Sequence, residues 1–308
     1  MFPENDTILV ENVLNRLSNV TAKKIQWDNN DIPISTAKTA LTKYVDLNAT
    51  PIPEQIAKWI EYTIDKREKN MIRLLCQKES TWQSWVSRTQ TWSQWAQTKP
   101  NILDFLQLFP GLKIPAEVLI CTLNKMLPRP YSVAYAGCKL LDFNGKKLLA
   151  TDLVFEAVYH QTSELQSRKG TCTGFLTSIP IGHRFLTYKF PNKHFKLPDD
   201  RNVPILMIAT GSGIAPFRGF WKQRFAMNET KMKLDWLYFG CRNENEALFY
   251  DEACFHVNVR IAFSRKSTIP KTYVQDLLDQ DSVHIYNLIV NHRANIYICG
   301  KVGILLLE

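Results

Sequence analysis

Between Val203 and Gly300 apolar runs alternate with helical stretches, and this alternation limits the fold more than any other feature of the chain. Ile205-Leu-Met-Ile-Ala209 is an unbroken apolar run, the pattern of a strand buried on both faces of a parallel sheet. Thr210-Gly-Ser-Gly213 follows at once, and a helix opens at Ile214 with Pro216 in its first turn. Further strands are predicted at 234–239, 257–263 and 296–299, with helices at 244–256, 273–278 and 282–292 between them. Such a period gives a parallel sheet with helices on both faces, which binds ligands at the carboxyl ends of its strands. Thr210-Gly211, Gly240-Cys-Arg242, Ser264-Arg265 and Cys299-Gly300 all fall at those ends.

The 308 residues are enough for two domains. No apolar run approaches the ~20 residues a membrane helix needs, and the first residues lack a signal-peptide layout. Cytoplasmic localisation is the expectation. Seven cysteines form no Cys-x-x-Cys pair, so neither a structural metal site nor a disulfide framework is expected. A balance of 38 basic to 29 acidic residues, net +9, favours anionic partners. No basic run with interleaved aromatics supports nucleic-acid binding.

The first half reads differently. From Ser35 to about Pro115 the texture is helical, with a cap at Ser35-Thr36, a helix start at Pro53, and Ile56, Trp59, Ile60 and Ile64 on one face. Thr81-Trp-Gln-Ser-Trp85 and Thr91-Trp-Ser-Gln-Trp95 echo each other; their helical spacing favours core packing over a stacking platform for bases. Lys66-Arg-Glu-Lys69 reads as a solvated face. After Pro128 the texture is β-like, with strands predicted at 131–135, 147–150, 153–159 and 183–190 and a short helix from Gly170.

Two groups of residues suggest nucleotide chemistry. In Arg129-Pro-Tyr-Ser132, Arg can bind pyrophosphate, Tyr can stack on a planar ring and Ser can bond a ring heteroatom. Gly170-Thr-Cys-Thr173 is a glycine-led helix start able to hold phosphate oxygens. At the sheet, Gly211 and Gly213 let the backbone approach a ligand. Arg242, Arg265, Lys271 and Tyr273 form a cluster that suits a monophosphate such as the 2′-phosphate of NADPH, whereas an NAD-type site wants an acidic residue there. One such site in a β-barrel and another at a parallel sheet suggest two nucleotides meeting face to face.

These motifs, in order and spacing from about residue 36 to 300, resemble the FAD/NADPH half of the diflavin reductases. The matching segments are Thr39-Ala-Leu-Thr-Lys-Tyr-Val-Asp46, Arg129-Pro-Tyr-Ser132, Gly170-Thr-Cys-Thr173, Gly211-Ser-Gly-Ile-Ala-Pro-Phe217, Gly240-Cys-Arg242, Ser264-Arg265, Lys271-Thr-Tyr-Val-Gln275 and Ile296-Tyr-Ile-Cys-Gly300. Leu127-Pro-Arg-Pro-Tyr-Ser132, Arg168-Lys-Gly-Thr-Cys-Thr-Gly174 and Leu197-Pro-Asp-Asp200 look most like its methionine synthase reductase branch. The resemblance implies an α+β part, an antiparallel FAD-binding β-barrel over 1–200 with a helical connecting insert at about 36–118, and an α/β part. The latter is a Rossmann-like parallel-sheet NADP-binding domain over 201–308, the whole being of the ferredoxin–NADP reductase type.

It also implies that NADPH passes hydride to FAD, and that electrons reach an acceptor protein, methionine synthase, through FMN on a flavodoxin-like domain. Arg129 and Pro130 with Gly170, Thr171, Cys172 and Thr173 would hold FAD; Tyr131 would stack on its ring, and Ser132 would bond it near N5. Gly211 and Gly213 would hold the NADPH pyrophosphate, and Ser264, Arg265, Lys271 and Tyr273 its 2′-phosphate, with Arg242, Val274 and Gln275 nearby. Cys299 would sit beside the nicotinamide. The likeness breaks off after Gly300, Thr210 stands where the family has Pro, and no FMN domain precedes residue 1. The chain is therefore expected to be a shortened copy. The competing readings are an inactive truncated form that binds only nucleotide or a partner, and a single-flavin reductase without FMN.

Overall fold

In the computed structural model the structure describes residues 1–28, 31–76, 92–143, 146–161, 167–228, 234–266, 268 and 270–301. The first tryptophan repeat, Trp82 and Trp85, and the segment after Lys301 lie outside them. The chain divides into two compact units, Met1–Pro130 with Ala157–Tyr188 and Tyr131–Glu156 with Lys189–Glu308.

The first unit is helical at its centre: α1 (Thr7–Leu14), α2 (Ala37–Lys43), α3 (Pro53–Trp59), α4 (Lys66–Leu75), α5 (Trp92–Gln97), α6 (Ile102–Leu108) and α7 (Ala116–Thr122). Its core joins Val10, Leu41, Ile56, Trp59, Ile72, Phe105 and Leu119. Each such side chain contributes roughly 1.5–3 kcal/mol when fully buried. Trp59 and Trp95 are core residues: Trp95 meets Phe105 edge-on at 5.9 Å, and Trp59 donates its indole N–H to Thr122 Oγ1 at 2.7 Å. Caps fall where their chemistry predicts, with Thr36 Oγ1 accepting from the Thr39 amide and Asn101 exchanging bonds with Asp104. Ile64 departs from the expected apolar stripe. Helix α3 tightens into a 3₁₀ turn at Ile60–Tyr62, Thr63 turns extended, and Ile64 is 99% exposed.

This unit also carries the antiparallel ladder of β3 (Tyr159–Gln161) with β4 (Ser167–Lys169), and then α8 (Thr171–Ser178). The strand predicted at 183–190 forms no ladder. Leu186 and Phe190 are 76% and 79% exposed, so the apolar alternation there is not matched by a partner strand among the described residues.

The second unit begins with the hairpin of β1 (Val133–Phe143) and β2 (Lys146–Leu153) and continues into a four-stranded parallel sheet. Strands β5 (Ile205–Thr210), β6 (Trp236–Cys241), β7 (Asn258–Phe263) and β8 (Asn295–Cys299) lie in the order β7-β6-β5-β8. Helices α9 (Ala215–Asn228), α10 (Tyr250–His256), α11 (Val274–Gln280) and α12 (Ser282–Val290) connect them. Strand β5 is buried at all six positions, as its unbroken apolar run requires. Ile205, Met207 and Ala209 face Phe217 and Trp221, while Leu206 and Ile208 face Val274 and Leu277. The helix predicted at 244–256 is interrupted: a 3₁₀ turn at Glu244–Glu246 gives way to Phe249 with φ 55°, and α10 starts after it.

Candidate functional site

The chain crosses from β5 through β6 to β7 on one side and returns to β8 on the other, so the sheet has its switch point between β5 and β8. There the carboxyl ends of parallel strands leave a crevice. Thr210 ends β5, and Gly211 turns with φ +53° into the 3₁₀ turn Gly211–Ile214 that leads into α9. A Cβ on Gly211 would meet nothing within 4 Å, so that face is open. Gly213 is the reverse: a Cβ there would lie 2.2 Å from the Cys299 carbonyl oxygen and 2.8 Å from Gly300 Cα. The structure thus brings Gly211, Gly213 and Cys299 together.

Thr210, the residue before Gly211, is buried and its hydroxyl has no hydrogen-bond partner among the described residues. An open glycine, a second one flush against the neighbouring strand end and this orphaned hydroxyl fit a pyrophosphate approached by backbone amides. Burial pushes the Cys299 thiol up, which keeps it protonated at neutral pH.

The next strand ends assemble the basic cluster. The Arg265 amide donates to the Arg242 carbonyl at 2.8 Å, and the Ser264 amide to the Cys241 carbonyl at 3.0 Å. Lys271 Nζ lies 4.7 Å from the Tyr273 ring centre, and the Thr272 amide returns to the Phe263 carbonyl at 3.0 Å. Arg265 and Lys271 are exposed, and no carboxylate pairs with either among the described residues. Arg242 differs: its guanidinium lies 3.3 Å from Glu156 and 3.5 Å from Glu246, so its charge is already met. Val274 is a packing residue, buried with Cγ2 only 2.7 Å from where a Cβ on Gly240 would stand. Gln275 is half-buried in the first turn of α11.

The first unit holds the other group. Arg129 donates from Nη1 to the Leu127 carbonyl at 2.8 Å, and its Nη2 lies 3.3 Å from Asp46 Oδ2. The other Asp46 oxygen accepts from the Asn48 amide at 3.0 Å and from the Thr171 hydroxyl at 3.5 Å. Asn48 Nδ2 donates to that same hydroxyl at 3.1 Å. Arg129 and the start of α8 are thereby joined through Asp46. Gly170 caps α8 without a side chain, which leaves its first amides to a ligand, and the Arg129 fork keeps donors to spare; the pair fits a diphosphate. Two neighbouring residues have other duties. Cys172 is buried, and the Thr173 hydroxyl accepts from the Val158 amide at 3.1 Å. Pro130, which ends this stretch of the first unit, is exposed. In the second unit Ser132 is exposed, and Tyr131 meets Phe155 edge-on at 6.2 Å.

Sequence reasoning missed Asp46 and Asn48 as site residues. The signal was a polar residue at every second position of Val45-Asp-Leu-Asn48, between side chains that bury. Among the described residues no helix is long and apolar enough to cross a membrane, and no cluster of His, Cys, Asp and Glu is arranged to hold a metal.

Comparison with known proteins gives one family match in each half of the chain. The FAD binding domain family matches residues 1–174, and the oxidoreductase NAD-binding domain family matches residues 207–305. A nitric oxide synthase of Drosophila melanogaster is 31% identical over 98% of this chain and 24% of its own length. An NADPH–cytochrome P450 reductase of the same organism is 31% identical over 97% of this chain and 45% of its own length. An inducible nitric oxide synthase of Canis lupus familiaris is 26% identical over 98% of this chain and 27% of its own. The chain thus spans about a quarter to a half of the length of these relatives.

Proposed function

The chain belongs to the diflavin reductase family as an oxidoreductase module whose cofactors are FAD and NADPH, and we propose from this that it reduces FAD with NADPH and passes electrons onward through an FMN flavodoxin-like domain. The observation that carries the reading is the Gly211–Gly213 cradle packed against Cys299 at the switch point of the sheet. When bound, NADPH supplies hydride and FAD accepts it for onward electron delivery. Gly211 and Gly213 admit the NADPH pyrophosphate, and Cys299 borders the nicotinamide as a neutral thiol. Ser264, Arg265, Lys271 and Tyr273 take the 2′-phosphate. Arg129 and the amides from Gly170 to Thr173 hold the FAD pyrophosphate, while Tyr131 and Ser132 meet its ring.

For the acceptor we propose methionine synthase and its cobalamin, on the resemblance of the segments around Arg129, Gly170 and Asp199 to that branch. The direct test loads the purified chain with FAD and adds NADPH without oxygen. Bleaching of the flavin band, followed by transfer to an added FMN domain, supports the reading; a bound flavin that NADPH leaves oxidised sinks it. With the FMN domain present, methionine synthase and a cytochrome P450 are then offered in parallel. Reduction of the P450 alone overturns the choice of acceptor.

Two substitutions probe the halves separately. Arg129→Ala is expected to weaken FAD binding roughly ten- to a hundredfold, the worth of a lost charge-assisted bond of about 1.5–3 kcal/mol, read by flavin retention on gel filtration. Asp46→Ala should produce part of that loss, because it frees the fork that Arg129 holds in place. Arg265→Ala is expected to raise KM for NADPH by roughly the same factor and to leave KM for NADH unchanged, since NADH lacks the phosphate. Equal effects on both nucleotides would remove Arg265 from the 2′-phosphate site.

A further inference from the structure

The segment that begins with Tyr131 and Ser132 is fastened beside the parallel sheet by a partly buried charge network, and we propose that Arg218, at its centre, is a positioning residue that sets these two residues against the nicotinamide end of the sheet. The proposal rests on the reductase reading above.

Arg218 is the fourth residue of α9, five residues beyond Gly213, with its side chain 12% exposed. Its Nε and Nη2 donate to the two Glu252 oxygens at 3.0 and 3.1 Å, and Nη1 donates to Asp152 Oδ2 at 2.7 Å. Glu252 also accepts the Trp221 indole N–H at 3.0 Å and faces Lys222 at 3.5 Å. Burial opposes the Glu252 charge, yet the bonds from Arg218 and Trp221 hold its carboxyl below the usual range. The Arg218 guanidinium stands 4.4 Å from the ring centre of Phe249, the residue held at φ 55°, and Lys222 stands 4.8 Å from that of Tyr135. Asp152 is the cross-strand partner of Tyr135, so the network grips both strands of the hairpin.

A second contact points the same way. A Cβ on Gly219 would lie 3.3 Å from the Val133 carbonyl oxygen, and Val133 directly follows Ser132. One helix therefore begins at the glycine cradle and, a turn later, carries the strand that starts at the ring-binding residues. Transfer between two bound rings needs the reacting atoms at about 3–3.5 Å, and a misplacement of ~1 Å costs on the order of a hundredfold in rate. A bidentate Arg between two carboxylates, with an aromatic ring against its face, is suited to hold such a distance.

The test uses the FAD-loaded chain with Arg218→Met, Arg218→Lys and Asp152→Asn. Flavin reduction at saturating NADPH is expected to fall roughly ten- to a hundredfold in Arg218→Met and by a smaller factor in Asp152→Asn. FAD content and the NADPH concentration at half-saturation should stay within about twofold of the parent, because the network touches neither pyrophosphate site. Arg218→Lys should recover part of the rate, and the visible circular dichroism of the flavin band should change in step with the rate. A parent-like rate at saturating NADPH, or a loss that follows FAD content, overturns the proposal. If Arg218→Met fails to fold, Asp152→Asn decides, because Asp152 is an exposed carboxylate on the hairpin. If NADPH does not reduce the parent, the reductase reading falls. Positioning is then judged from the flavin band alone: a changed dichroism in Asp152→Asn supports it and an identical one overturns it.

Discussion

Gly213→Ala is expected to destabilise the parallel-sheet unit by about 3 kcal/mol and to weaken NADPH binding at least ~tenfold. The added Cβ would stand 2.2 Å from the Cys299 oxygen, 2.6 Å from its carbonyl carbon and 2.8 Å from Gly300 Cα. These are all backbone atoms, so no side chain can turn aside, and the end of β8 must move away from the start of α9. Close-packed interiors do not absorb such a shift locally. The same movement opens the cradle between Gly211 and Cys299, which ties the loss of binding to the loss of stability. Gly211→Ala is the control. Its Cβ meets nothing, and its cost comes from the left-handed backbone alone, about 1–2 kcal/mol. Thermal unfolding with and without NADPH ranks the two. An alanine at 213 that melts with the parent and binds NADPH normally would show that the close approach is not a constraint.

The parallel sheet was legible because its information is local. The apolar run at 205–209 reads as a doubly covered strand, and every later strand and helix of the sheet begins within two residues of its predicted place except α10, which starts at Tyr250 rather than 244. The strand-end motifs were legible for the same reason, since each is one short stretch at one turn. The hairpin strands were readable as β but not their extent: of the strand predicted at 153–159, Val154 to Val158 is irregular, and β3 starts only at Tyr159. The pattern of 183–190 satisfies the local rule for a strand, but a strand needs a partner, and pairing is not written in the segment itself. The break at Phe249 was hidden because Phe ordinarily avoids a left-handed backbone; here it stands beneath Arg218. The partners of the site residues were the least readable. Asp46 lies 83 positions from Arg129, and Asp152 lies 66 from Arg218, so no window of sequence contains both members of either pair. Arg242 shows the consequence. Its place at a strand end was predicted correctly, while the carboxylate of Glu156 that meets its charge was not.

Asp235→Ala is expected to be the most damaging single change outside the site, with a loss of about 3–5 kcal/mol, because it strands a buried Arg224. Arg224 and Asp235 are 4% and 1% exposed in their side chains, with Nη1 2.8 Å from both carboxylate oxygens. Asp235 also accepts the Ile205 amide at 2.9 Å, and Arg224 Nη2 donates to the Val203 carbonyl at 2.8 Å. The pair thus joins the starts of β5 and β6 to α9, at the end of the sheet opposite the cradle. Burial pushes the Asp235 carboxyl up despite the pull of Arg224, which marks how strongly this position resists an isolated charge. It follows that removing half of the pair is worse than removing its charge altogether. Asp235→Asn keeps an acceptor for the Ile205 amide but leaves Arg224 uncompensated, so it too should destabilise. Adding Arg224→Met to it should return part of the loss, because the buried guanidinium is then gone. Urea unfolding of the four proteins in a double-mutant cycle measures the coupling. If the second substitution adds its own loss to the first, the pair is not coupled, and the sheet is held at that end by apolar packing alone.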